Sequence, residues 1–325
     1  MKAIEYTRYG AAEVAKVVDV PEPRARRAKP GTYLVRVRAA ALNPKDVLVR
    51  KGKFPWLAGR KFPKRMGYDW AGELLEGDDS LSVGTRVYGM IQSWDAGAFA
   101  EVCRVRADEC ARAPEGLTFE EAAGLPLASL TALQALRDAA GLSTGQRVLL
   151  HGASGGVGVF AIQIAKALGA HVSTTSSETN RKLCADLGAD ETFDYTNLDF
   201  GAGPGGAGAD GATALGPIDV FFDVFGNQSF SRVRHRLSPE GAYVSTVPSA
   251  RILFDRLVTP LQTRRRARLV IVKSRRSDLE ALTRLVAEKK LRPVIDSIYP
   301  IEKIEDASRR IESKRSRGKV VLTLS

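Results

Sequence analysis

The chain has 325 residues, 44% hydrophobic and 26% charged, with 49 Lys and Arg against 37 Asp and Glu and a formal net charge of +12. The length suits about two domains, and the composition is that of a soluble globular protein. No apolar run approaches the roughly 18 residues of a membrane span, and Cys103, Cys110 and Cys184 make neither a metal-type spacing nor a disulfide framework.

Residues 1–6 have no apolar signal core and read as an edge strand, so a cytoplasmic protein is expected. Hydrophobic alternation is clear over residues 33–39, after a Pro30-Gly31 turn. Further short strands are predicted near residues 71–75, 86–89 and 98–105. Together they suggest a compact, β-barrel-like domain. From about Thr118 the pattern changes. Helices are predicted at 120–123, 129–140, 157–168, 178–187, 230–237 and 278–289. Strands are predicted at 146–150, 171–175, 191–194, 218–224, 242–246 and 319–324. Strands alternating with helices imply a parallel, doubly wound sheet. Residues 201–216, with seven glycines, read as a surface loop that buries no core.

The positive charge is clustered. Arg256, Arg264, Arg265, Arg266, Arg268, Lys273, Arg275 and Arg276 form one stretch with no acid inside it, and Lys314, Arg315, Arg317 and Lys319 a second. Such clusters suit nucleic acid, anionic lipid, acidic proteins or a phosphorylated ligand. A solvated face is the simpler reading, because no nucleic-acid motif accompanies them.

The richest stretch runs from Val148 to Gly158 (VLLHGASGGVG) and leads into an amphipathic helix with Phe160, Ile164 and Ala167 on one face. A strand, a glycine-dense turn and a helix N-terminus make a dinucleotide pyrophosphate site. Glycines let the backbone approach the phosphates, and the first turn of the helix offers free N–H groups and a partial positive charge. The motif is not a literal G-x-G-x-x-G: aligned on Gly155 and Gly158, the first glycine position holds Ala153. The site residues expected from this turn are Gly152, Ser154, Gly155, Gly156, Val157 and Gly158.

Several further stretches, in order and spacing, carry a family resemblance. They are Ala41-Leu42-Asn43-Pro44-Lys45-Asp46, Gly67-Tyr68-Asp69-Trp70-Ala71-Gly72-Glu73, Gly84-Thr85-Arg86-Val87-Tyr88-Gly89, residues 125–132, Leu187-Gly188-Ala189-Asp190, residues 219–226 and Arg317-Gly318-Lys319-Val320-Val321-Leu322. With the glycine turn, they make the chain resemble the medium-chain dehydrogenase/reductase superfamily, in its zinc-independent quinone oxidoreductase-like branch. The resemblance implies an α/β protein with a GroES-like β-rich catalytic domain (residues 1–122, completed by 293–325) and a doubly wound parallel-sheet Rossmann domain (123–292). It also implies an active site in the cleft between them, and a homodimer as a common assembly. The zinc-dependent branch places Cys where Asn43 stands and Gly-His-Glu where Gly67-Tyr68-Asp69 stands, and carries a four-cysteine lobe. Neither is present, and His151, His171 and His235 all fall in the cofactor half, so no zinc ligand set is expected.

An NAD site normally offers Asp or Glu at the end of the second strand. Here Thr175-Ser176-Ser177 stands there, followed by Arg181 and Lys182. Small hydroxyls leave room for a 2′-phosphate, so NADPH is the expected cofactor, held by Ser176, Ser177 and Arg181. Ser177 also reads as a helix cap, and Glu178 is the residue that would favour NADH. Tyr195, Thr131 and the Arg317-Gly318-Lys319 run join the cofactor set through the resemblance.

Without a metal, a conjugated acceptor is easier to reduce than a plain ketone. The expected reaction is hydride transfer to a quinone or an enone-type C=C. The candidate catalytic residues are Asn43, Tyr68 as a proton donor and Lys45 as a group that polarises oxygen, although an ordinary tyrosine pKa is near about 10. Asp46 reads as a cap. Phe54, Trp56, Trp94 and Phe254 are candidates for an apolar pocket. Two alternatives stay open: an enoyl-thioester reductase acting on CoA- or carrier-bound chains, and a nucleotide-dependent RNA-binding protein.

Overall fold

The computed structural model of the chain describes residues 1–23, 31–94, 96–198, 200 and 216–324. The glycine-rich stretch at 201–216 lies, apart from Gly216, outside the described residues. The chain divides into two compact units: Met1–Leu130 with Lys273–Ser325, and Thr131–Val272.

The first unit is β-rich. Its larger sheet runs in the order Ile295–Pro300, Lys319–Thr323, Thr32–Leu42, Asp69–Glu76, Arg86–Met90 and Cys110–Arg112, with Val102–Arg106 also pairing Thr32–Leu42. The long strand Thr32–Leu42 shows why. Its first half alternates, with Val35 and Val37 inward and Arg36 outward. Its second half, Ala39 to Leu42, is small and apolar and buried throughout, as a strand covered on both faces must be. The C-terminal strand pairs it antiparallel, Val320 against Leu42 and Val321 against Ala41. Val35, Val37, Trp70, Leu74, Val87, Phe99, Val320 and Leu322 meet in one core.

Lys2–Tyr6 is not an edge strand. It is the centre of a small sheet between Lys16–Asp19 and Lys64–Arg65, because Ala3, Ile4 and Tyr6 are buried and the Ile4 N–H donates to the Phe99 carbonyl.

Residues 273–292 also pack with this unit. The helix Arg276–Ala287 is tied down at its start. The Arg276 guanidinium donates to the carbonyls of Ala107 and Cys110 and to the Tyr33 hydroxyl. Tyr88 donates to the Leu279 carbonyl at 2.6 Å. An arginine from the basic run is therefore a structural clamp.

The second unit is a six-stranded, wholly parallel sheet in the order Glu191–Asp194, His171–Ser176, Arg147–His151, Ile218–Asp223, Leu237–Ser245 and Arg266–Leu269. From the central strand Arg147–His151 the chain first builds outward one way, through His171–Ser176, and then the other way, through Ile218–Asp223. The switch point therefore lies at the carboxyl end of Arg147–His151, where such sheets bind ligands. The helix predicted at 157–168 runs Gly158–Ala167. The helix predicted at 129–140 is instead an α-helical turn set, Pro126–Leu133, followed by a wider π-helical stretch, Gln134–Ala140.

Candidate functional site

In the parallel-sheet unit the glycine turn sits at the switch point, and its glycines are there for different reasons. Gly152 has φ +84°, a backbone state that side chains rarely adopt. It makes the tight turn one residue earlier than the aligned Ala153, which is buried. The Gly152 and Ala153 N–H groups both donate to the Thr175 carbonyl. A Cβ on Gly158 would lie 2.5 Å from Ala153, so helix–strand packing demands that glycine. A Cβ on Gly155 would meet nothing nearer than the Gly152 carbonyl at 3.6 Å. The protein leaves open space above Gly155, which fits a phosphate approaching the backbone. Ser154, Gly156 and Val157 are half-buried around it, and the helix Gly158–Ala167 points its unpaired N–H groups and positive dipole end at the turn.

Sequence reasoning missed Asn180. Its Nδ2 donates to Ser154 Oγ at 3.1 Å, while its Oδ1 is buried without a hydrogen-bond partner. A buried acceptor of that kind is costly unless a donor fills it, and a ribose hydroxyl is such a donor. No spacing pattern marks a lone amide in a loop. Ser176 is buried and donates to the Ser177 carbonyl. Ser177 starts the short turn Glu178–Asn180 without a side-chain cap bond. Arg181 pairs with Glu178 at 2.9 Å and donates to Thr192. The Glu178–Arg181 pair is exposed, so it is weak and open to exchange for another anion. Tyr195 is exposed just after Glu191–Asp194. Thr131 is buried on Pro126–Leu133.

A histidine network lies at the same strand ends. His151 Nδ1 is 2.7 Å from Thr175 Oγ1, and Nε2 is 2.8 Å from Asn227 Oδ1. Burial pulls its pKa below the ordinary value, against the nearby Asp223 carboxylate.

In the β-rich unit, Asn43 follows the strand Thr32–Leu42 and precedes the helix Pro44–Arg50. Both ends of its amide are engaged. Nδ2 donates to Asp69 Oδ2 at 2.9 Å, and Oδ1 accepts from Lys319 Nζ. Lys319 also reaches Asp69 Oδ2 at 3.1 Å, and the Leu127 N–H donates to Asp69 Oδ1 at 2.8 Å. Burial pushes the Asp69 pKa up, and Lys319 and these hydrogen bonds oppose that rise. Asn43, Asp69 and Lys319 thus form one buried polar cluster, with Lys319 2% exposed. Gly318, with φ +85°, packs on the Val294 backbone, and the Arg317 N–H donates to Asp296. Asp46 is the expected cap: its carboxylate accepts the N–H groups of Asn43 and Gly67, and burial raises its pKa to about 7.

Lys45 is half-buried on the helix Pro44–Arg50. Its ammonium sits 3.7 Å above the buried Tyr68 ring and 4.9 Å from Trp94. Burial lowers its pKa. Phe54 packs at a tilt against Trp94, with ring centroids 5.6 Å apart. Lys45, Tyr68, Trp94 and Phe54 are thus brought together, whereas Trp56 and Phe254 are exposed.

A divalent zinc does not fit the positions at which the metal branch keeps its ligands. They present an amide already in use, a phenol, and a carboxylate paired with the Lys319 ammonium. Among the described residues, no group of three or more His, Cys, Asp or Glu is placed to hold an ion.

Two family models match the chain: the alcohol dehydrogenase GroES-like domain over residues 29–115 and the zinc-binding dehydrogenase over residues 187–322. A chloroplast envelope quinone oxidoreductase homolog of Arabidopsis thaliana is 32% identical, with 99% of this chain and 98% of that protein covered. The chain belongs to the medium-chain dehydrogenase/reductase superfamily, in its quinone oxidoreductase-like branch. It is an oxidoreductase of this NAD(P)-binding family. A 2-methylene-furan-3-one reductase of Solanum lycopersicum is 35% identical over 99% of this chain and 79% of that protein. The solved quinone oxidoreductase of Coxiella burnetii superposes with a TM-score of 0.87 at 32% identity, with 100% of this chain and 99% of that one covered. Among the described residues, no helix is long and apolar enough to cross a membrane.

Proposed function

We propose that the chain is a zinc-independent, NADPH-dependent reductase that delivers hydride to a quinone or to the activated C=C of an enone or enal. The observation that carries the reading is the Lys319–Asp69–Asn43 cluster: where a metal would need ligands stand an amide and a carboxylate already bound to the Lys319 ammonium. With no Lewis acid, the acceptor itself must spread the charge created by hydride addition, and quinones and enones do so. The names of the Arabidopsis and tomato relatives support these two acceptor classes.

Bound NADPH supplies the hydride. The turn at residues 152–158 and the helix after it would hold the pyrophosphate. Asn180 Oδ1 would accept from a ribose hydroxyl. Ser176, Ser177 and Arg181 would receive the 2′-phosphate, with Arg181 exchanging Glu178 for the stronger anion. Thr131 and Tyr195 join this set through family resemblance alone. Lys45, held on the Tyr68 ring, donates to the substrate oxygen as negative charge grows there. Tyr68 is the candidate proton donor beside it. The Asn43–Asp69–Lys319 cluster positions the adjoining Tyr68 and Lys45.

The test is a screen of NADPH and NADH oxidation with quinones, enones, enals and enoyl-CoAs, run after metal chelation. Turnover of quinones or enones that survives chelation, with kcat/KM favouring NADPH, is expected. Loss of turnover on chelation would refute the zinc-free chemistry. A preference for NADH would refute the phosphate assignment, and turnover of enoyl-CoA alone would favour the thioester reading.

A further inference from the structure

The basic run 256–276 is left over from this function. Part of it lines an open surface concavity walled by Arg264, Arg265, Arg266, Arg268, Thr263 and Glu240. Thr263, Arg264 and Arg265 precede the strand Arg266–Leu269, whose Arg266 is level with Val148 and whose Arg268 is level with Leu150. That strand is an edge of the sheet, three strands away from Arg147–His151 and the glycine turn that follows it. The nucleotide site and this concavity are therefore separated across the width of the sheet.

The charges here are poorly balanced. Among the described residues, Arg264 alone of these has a carboxylate within ion-pair distance, Glu240 at 3.5 Å, and both are largely exposed. Two of the others are held by neutral backbone. Arg265 Nε donates to the carbonyls of Leu237 and Ser238, and Arg266 Nη2 donates to the Ala140 carbonyl. These bonds fix the guanidinium stems and leave the charge uncancelled. Arg268 feels the crowding: burial and then the like charges of Arg266 and Arg256 lower its pKa. Guanidinium groups match phosphate oxygens in pairs and are weakly hydrated, so several of them around one hollow favour a multiply charged phosphate over a single carboxylate.

We infer that this concavity binds a linear oligophosphate, inorganic or carried on a nucleotide, at a site distinct from that of the nicotinamide cofactor. Like-charge repulsion among the arginines is relieved when the ligand enters, so binding weakens steeply with salt.

Titration calorimetry of the full chain with inorganic tripolyphosphate, at low salt and with NADPH saturating, tests this. Binding in the presence of NADPH is expected. The paired substitution Arg264→Gln with Arg268→Gln should weaken it about tenfold, equivalent to about 1.4 kcal/mol, and leave NADPH affinity unchanged. Arg264→Gln alone, at an exposed position, gives a weaker version of the same effect should the pair impair folding. ATP and adenosine separate the two sources: ATP binding without adenosine binding shows that phosphate alone is read. Four results would overturn the inference: no heat up to about 1 mM tripolyphosphate, displacement by NADPH, affinity unaltered by the substitutions, or binding of RNA without binding of tripolyphosphate.

Discussion

Lys319 Nζ lies 3.1 Å from Asp69 Oδ2, an ion pair between residues 250 positions apart whose side chains are 2% and 0% exposed. The register of the C-terminal strand against Thr32–Leu42 brings Lys319 to this place, next to Asn43. A pair so deeply buried is a poor source of net stability but is costly to break, because the surviving charge has no solvent.

Lys319→Met should therefore destabilise the protein by about 3–5 kcal/mol, read as a lower urea midpoint. Adding Asp69→Leu should recover much of that loss. If the double substitution costs as much as the sum of the two singles, Lys319 and Asp69 are not coupled.

Lys45→Met keeps the aliphatic stem over Tyr68 and removes the ammonium. With a quinone or enone substrate, kcat should fall about a hundredfold, and the KM for NADPH should not move. Lys45→Arg should restore part of the rate. An unchanged kcat in Lys45→Met would remove this residue from the mechanism.

Two glycines of the turn separate folding from binding. Gly155→Ala adds a methyl where the protein itself leaves room, so the thermal midpoint should hold while NADPH affinity drops about tenfold. Gly158→Ala drives a methyl into Ala153 and should lower the midpoint by several degrees, in line with the about 1–3 kcal/mol of overpacking. Fluorescence titration of NADPH and thermal melts of both variants make the comparison.

Burial keeps His151 neutral in the folded chain, whereas an unfolded histidine takes up a proton near about pH 6.5. The unfolded state then binds more protons below that value, so stability falls as pH drops from 7 through the histidine range. His151→Gln should flatten the fall in melting temperature between pH 7 and about pH 5.5. An equal fall in both proteins would assign the effect to other groups.

Much of this architecture was legible in the chain. Strand and helix periodicity placed the elements between residues 146 and 194 within a residue or two, because a buried parallel strand and an amphipathic helix each carry a local signature. Arg276 was not legible. An arginine in a basic run reads as a solvated charge, and only the fold supplies the carbonyls of Ala107 and Cys110 and the Tyr33 hydroxyl that it binds. Lys2–Tyr6 failed for a related reason: its pattern marks a strand, yet whether a strand has one neighbour or two is decided by the strands that arrive beside it.

The sequence by itself determined the element pattern, the glycine turn and the family, since each is written in short-range spacing. Only the tertiary structure decided what the polar side chains do. It turned Asn43 and Lys319 inward onto Asp69, set Lys45 on the Tyr68 ring, left Asn180 Oδ1 without a donor and gathered four arginines around one hollow. The reason is physical: a side chain's partners come from residues tens to hundreds of positions away, and strand register and core packing choose them after local propensity has done its part.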